Sequence, residues 1–125
     1  APPMVKQKEG AIVNIATAFA KVNLPLVGTY CATKAALLSL GQALRAYLSD
    51  SGILVMTVLP TTIDTDMSRG ANVPKMGTEF VAAEILQAIR DEKHDPAIGD
   101  EAHSVLDGLA KDPVEFEKII GQYRA

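Results

Sequence analysis

Tyr30 and Lys34 stand four residues apart in the run Gly28-Thr29-Tyr30-Cys31-Ala32-Thr33-Lys34-Ala35-Ala36-Leu37. On a helix, that spacing puts both side chains on one face, a turn apart. An ammonium held beside a phenol favours the phenolate, which makes a tyrosine a usable proton donor and acceptor near neutral pH. Such a pair also arises by chance on solvated helices, so its weight rests on its neighbours. Thirteen positions before Tyr30, Thr17 closes the segment Gly10-Ala11-Ile12-Val13-Asn14-Ile15-Ala16-Thr17 and places a hydroxyl at the end of an apolar, β-branched run. In parallel α/β sheets, the carboxyl ends of the strands are where binding groups gather. A second apolar run, Ile53-Leu54-Val55-Met56-Thr57-Val58-Leu59-Pro60, leads into the polar loop Thr61-Thr62-Ile63-Asp64-Thr65-Asp66-Met67.

The elements that must carry these residues alternate. Residues 4–9 read as the end of a helix stopped by Gly10, and 11–16 as a buried strand. Residues 18–27, with Pro25, read as a loop. Residues 29–49 form a long helix closed by Asp50-Ser51-Gly52, and 53–59 a second buried strand. The connection 61–76 is of a length that is usually functional or mobile. Thr78 is positioned to cap a helix running to about Asp91, with Glu79 in its first turn. Residues 95–100 have room for a short third strand. Residues 101–111 and 113–123 read as terminal helices, the second opened by Asp112 and Pro113. This β-α-β-α-β-α order makes the fold α/β, with a parallel sheet and right-handed crossovers. Ala32, Ala36, Leu38, Leu40, Leu44 and Tyr47 surround much of helix 29–49, so it is expected to be covered on two sides.

At this point the sequence resembles the short-chain dehydrogenase/reductase family. Val13-Asn14-Ile15-Ala16-Thr17 is similar to that family's catalytic-serine strand, with Thr17 where serine usually stands. Tyr30 and Lys34 match its Tyr-x-x-x-Lys, and residues 60–65 are similar to its Pro-Gly-x-x-x-Thr loop, with Thr61 replacing the glycine. The resemblance implies the C-terminal half of a Rossmann-like doubly wound sheet, about three strands with flanking helices, with residues 1–125 forming part of a single domain. It implies hydride exchange between a nicotinamide cofactor, NAD or NADP, and a small-molecule carbonyl or alcohol. Tyr30 would then be the general acid and base, with Lys34 supporting it and bonding the nicotinamide ribose. Thr17 would steady the substrate oxygen. Tyr30, Lys34, Pro60, Ile63 and Thr65 would contact the cofactor. It also implies a homo-oligomer built through helix 29–49.

The family's glycine-rich phosphate loop, its ribose-reading residue and the Asn of its tetrad find no counterpart. Neither G-x-x-x-G-x-G nor G-x-G-x-x-G occurs in the 125 residues. The dinucleotide-binding half is therefore expected to be absent and the chain inactive alone. A second reading stays open: a non-catalytic relative that acts as an interaction module through its long apolar helix.

Composition excludes other classes. A net charge of −3 gives no general pull toward nucleic acid or anionic membrane. The apolar runs are too short to span a bilayer. One cysteine, Cys31, rules out an internal disulfide and fits a reducing cytoplasm. His94 and His103 lack partners at ligand spacing, so no metal site is expected. Asp64 and Asp66 are read as loop polarity rather than a hydrolytic pair. Less functional roles exist for Thr17 as a strand end and for Thr65 as a loop cap.

Overall fold

The computed structural model describes residues 1–123. Helix α1 (Pro2–Gln7) is short and starts with prolines, which suit the first positions of a helix. Its stop is Lys8, not Gly10. Lys8 takes a left-handed conformation (φ 54°), and the N–H groups of Lys8 and Glu9 close on the carbonyls of Val5 and Met4. Strands β1 (Gly10–Ile15), β2 (Ile53–Pro60) and β3 (Ala97–Ile98) then form one parallel sheet in that order. Gly10 pairs with Ile53 and Ile15 with Val58, while only Leu59 and Pro60 pair with β3.

Helix α2 (Gly28–Tyr47) joins β1 to β2, and α3 (Thr78–Arg90) joins β2 to β3. Alternation along the strands sends Ala16 and Leu59 to the face covered by Leu38 of α2. Val13, Met56 and Val58 go to the opposite face, under Val81, Ile85 and Ala88 of α3. Burial on both faces explains why β2 is a continuous apolar run. Because β1, β2 and β3 advance in one direction while α2 and α3 lie on opposite faces, the two crossovers have opposite hands. The right-handed rule thus holds for only one of them.

Near Thr57, β3 is too short to complete the β2 ladder, and side chains complete it instead. Asp95, left-handed at φ 47°, accepts the Thr57 N–H at 3.1 Å and pairs with Arg45. Arg45 Nε donates to the Val55 carbonyl at 3.0 Å. Helices α4 (Asp100–Lys111) and α5 (Pro113–Ile120) fold back so that Ala102, Val105 and Ile120 pack on Ala18 and Val22. Asp112 caps α5 through the Glu115 N–H, as its sequence position predicts. Thr78 is the first residue of α3 rather than its cap; Gly77 occupies that place.

The connection after β2 is tied at its base. Met76 N–H donates to the Thr62 carbonyl (2.9 Å) and Asp64 N–H to the Met76 carbonyl (2.8 Å). Residues 64–75 therefore form a loop with a closed neck, containing a single turn of 3₁₀ helix at Asp66–Ser68.

Candidate active site

The carboxyl ends of β1 and β2 and the first turns of α2 enclose a cavity of about 620 Å³. Thr17, Tyr30, Lys34, Pro60, Ile63 and Thr65, the residues singled out in the sequence, all line it. They come from three separate stretches of chain, and the fold brings all six to one place.

Thr17 is 5% exposed and follows the last residues of β1. It begins a 3₁₀ turn (Ala18–Ala20), and its Oγ1 accepts the Phe19 N–H at 3.3 Å. It is thus a cap as well as a wall residue. The accepted bond leaves the hydroxyl hydrogen free to donate into the cavity. Tyr30 is the third residue of α2, 43% exposed, where the helix carries partial positive charge. Lys34 lies one turn on, with Nζ 5.7 Å from the centre of the Tyr30 ring.

The Lys34 ammonium donates to the Ile15 carbonyl at 3.1 Å. Ala16 N–H donates to Val58, so even-numbered residues of β1 face β2 and the groups of Ile15 point to the other edge. Lys34 therefore sits over that edge, at the end of β1, and two of its three hydrogens remain for other partners.

On the loop side, Ile63 is held by its carbonyl, which accepts from Ser68 Oγ at 2.7 Å. The same Ser68 Oγ accepts the Thr65 N–H at 3.1 Å. Thr65 both starts the Asp66–Ser68 turn and lines the cavity. Asp66 pairs with Arg69 on the exposed side of this loop. Among the described residues no group of three or more His, Cys, Asp or Glu could hold a metal ion, and His103 bonds the Gly99 carbonyl.

Sequence reading missed Phe19, Leu24, Val27 and Met67, which form apolar wall around the hydroxyls. Their signal was an unusually apolar loop at 18–27, since loops that pack on nothing are normally polar. It also missed a buried polar pair beneath α2. Asn14 and Thr57 are partners in the ladder, and Asn14 Nδ2 and Thr57 Oγ1 have no hydrogen-bond partner.

The donors present suit the nicotinamide and ribose half of a dinucleotide: one ammonium, six hydroxyls and an apolar floor of Pro60 and Ile63. Nothing in the 125 residues supplies the glycine-lined turn that holds a pyrophosphate.

A parallel sheet covered on both faces, with a polar cluster at its carboxyl edge, defines a Rossmann-like α/β protein. The chain belongs to the short chain dehydrogenase family, whose model matches residues 1–75. It is 38% identical over 82 residues to 11-beta-hydroxysteroid dehydrogenase-like 3 of Arabidopsis thaliana, covering 66% of this chain and 26% of that protein. It superposes with a TM-score of 0.89 on a short chain dehydrogenase from Burkholderia cenocepacia J2315 in complex with NADP. There the identity is 32%, and the match covers 95% of this chain and 52% of the other. A short-chain dehydrogenase from Sphingobium yanoikuyae in complex with NADPH gives a TM-score of 0.73 at 28% identity, covering 100% of this chain and 51% of the other. The chain thus spans about a quarter of that curated relative and about half of these solved structures.

Proposed function

We propose that this chain carries the catalytic part of an NAD(P)-dependent oxidoreductase that interconverts an alcohol and a carbonyl compound. The observation that carries the reading is the convergence of Thr17, Tyr30 and Lys34 on one cavity with Pro60, Ile63 and Thr65. Two similar solved structures hold NADP and NADPH, which supports the cofactor class. When bound, the nicotinamide supplies the hydride in reduction and receives it in oxidation.

The chain's own residues manage the proton and the oxygen. In reduction, Tyr30 gives its phenolic proton to the carbonyl oxygen; in oxidation it takes the proton back. The Lys34 ammonium and the start of α2 both stabilise the phenolate left behind. Lys34 keeps its bond to Ile15 and has two further hydrogens with which it would hold the ribose. Thr17, oriented by the Phe19 N–H, donates to the substrate oxygen and steadies the developing alkoxide. Ile63 and Thr65, fixed by Ser68, would hold the carboxamide side of the nicotinamide. Among the 125 residues none is assigned to the pyrophosphate or the adenosine. The exposed apolar stripe of α2 fits a helix contact between subunits, which serves the enzyme reading and does not need the non-catalytic one.

The test is substitution in an enzymatically competent preparation, with rates followed by nicotinamide absorbance. Tyr30→Phe should lower turnover by about 10²–10⁴-fold, the usual contribution of a positioned acid or base. Thr17→Ser should retain activity, and Thr17→Ala should lose most of it. Near-normal turnover by Tyr30→Phe would refute the mechanism.

A further inference from the structure

We propose that Ser68 is a positioning residue that sets the polarity of the turn after β2: it engages the Ile63 carbonyl and leaves the Ile63 N–H as the group offered to a nicotinamide carboxamide. The inference rests on the oxidoreductase reading, which puts the carboxamide at Ile63 and Thr65, and adds what decides which end of it is recognised. The neck of the loop fixes the direction. Its bonds use the Thr62 carbonyl and the Asp64 N–H, both facing Met76. In a parallel pairing the residue between those groups turns its own N–H and carbonyl the other way. Ile63 therefore presents both away from Met76, and Ile63 and Ser68 both line the cavity.

One hydroxyl does the sorting. Ser68 ends the 3₁₀ turn Asp66–Ser68, and a side chain this short reaches back to the backbone just before it. Its Oγ stands 2.7 Å from the Ile63 carbonyl oxygen and 3.1 Å from that of Thr65. A hydroxyl has one hydrogen, and the shorter contact takes it. The Thr65 carbonyl is served instead by the Ser68 N–H, at 3.1 Å. The same Oγ accepts the Thr65 N–H at 3.1 Å. The Ile63 carbonyl and the Thr65 N–H are thus both engaged, while the Ile63 N–H donates to no group among the described residues. That donor suits the oxygen end of a carboxamide. Without the Ser68 hydroxyl the Ile63 carbonyl would be equally open and would accept the amino end, so the turn would no longer tell the two ends apart.

The test separates this role from simple closure of a turn. In an enzymatically competent preparation without substrate, NADH and NADPH are each compared by calorimetry with their thionicotinamide analogues, whose sulfur accepts weakly. The unaltered protein should bind the analogue about three- to tenfold more weakly than its parent, the reach of one neutral hydrogen bond. That ratio needs no variant, so it stands as a test even where a substitution prevents folding. Ser68→Ala should bring parent and analogue within about twofold, and Ser68→Thr, which keeps the hydroxyl, should restore the gap. A serine that only closed the turn would weaken both nucleotides equally. Without nucleotide, the Thr65 amide should exchange about three- to tenfold faster in Ser68→Ala, while the Asp64 amide, held by Met76, should not change. Equal weakening of parent and analogue, an unaltered protein that does not favour the parent, or a Thr65 amide that keeps its rate in Ser68→Ala would overturn the inference. The expected ratios beside a Tyr30→Phe variant that keeps its turnover would overturn the catalytic reading and leave Ser68 in this role. Protein that binds neither nucleotide would overturn both.

Discussion

One missing side chain sets how closely α2 lies on the sheet. A Cβ added at Gly41 would stand 2.5 Å from Thr57 Oγ1 and 3.4 Å from Asn14 Nδ2. Alanine in place of a helical glycine ordinarily gains about 0.5–1 kcal/mol. Here overpacking against a fully buried threonine costs about 1–3 kcal/mol, so the clash wins. Gly41→Ala should therefore lower the urea midpoint by the equivalent of about 1 kcal/mol or more. Adding Thr57→Ala removes the clashing atom and an unpartnered buried hydroxyl, and should recover much of the loss. None of this was legible in the sequence, where Gly41 is one glycine in a helix and Asn14 and Thr57 lie far apart along the chain. That Tyr30, Lys34 and Thr17 would meet at one cavity was legible, because spacing within a helix and position at a strand end decide where they lie. Phe19 and Leu24 were not, because which loop residues turn inward is decided by packing on α4 and α5 as well as by their own polarity.

Elements were read well where periodicity decides and badly where a partner decides. The bounds of α2, β2 and α4 fall within about two residues of the sequence reading, as strong patterns allow. The hand of one crossover was misread because the apolar stripe of a connecting helix is the same whichever face of the sheet it covers. The β3 strand was foreseen as short, but not that Asp95 and Arg45 would finish the ladder beside it. That device yields an ordered series. Asp95→Ala leaves the buried Thr57 N–H without an acceptor, a loss of about 1–3 kcal/mol. The Arg45 contact adds less, because the guanidinium is 27% exposed and screened. Asp95→Asn keeps an acceptor oxygen and a residue that tolerates φ 47°, so it should fall between wild type and Asp95→Ala in thermal unfolding.

At the scale of the molecule, two surfaces are uncovered. β1 pairs with β2 alone among the described strands, so the groups of Ala11 and Val13 present an open parallel edge. The outer side of α2 exposes Leu40 at 56% and Tyr47 at 85%. Open edges and apolar stripes of this kind drive association. The 125-residue chain by itself should therefore self-associate, visible by light scattering. It should also show no calorimetric binding of NADH or NADPH at micromolar concentration, since most dinucleotide affinity comes from pyrophosphate and adenosine contacts that its residues do not supply. A monodisperse monomer that binds either nucleotide at that concentration would refute both expectations. Among the described residues no helix is long and apolar enough to cross a membrane.

The closed neck between Ile63 and Met76 separates two duties within one chain. Its bonds are made by backbone groups, which any non-proline sequence provides. The residues strung between them are therefore released from maintaining the sheet and can change under selection for ligand alone. Evolution can treat this segment as an exchangeable cartridge: the residues around Met67 can be replaced while Thr17, Tyr30 and Lys34, carried by other elements, stay untouched.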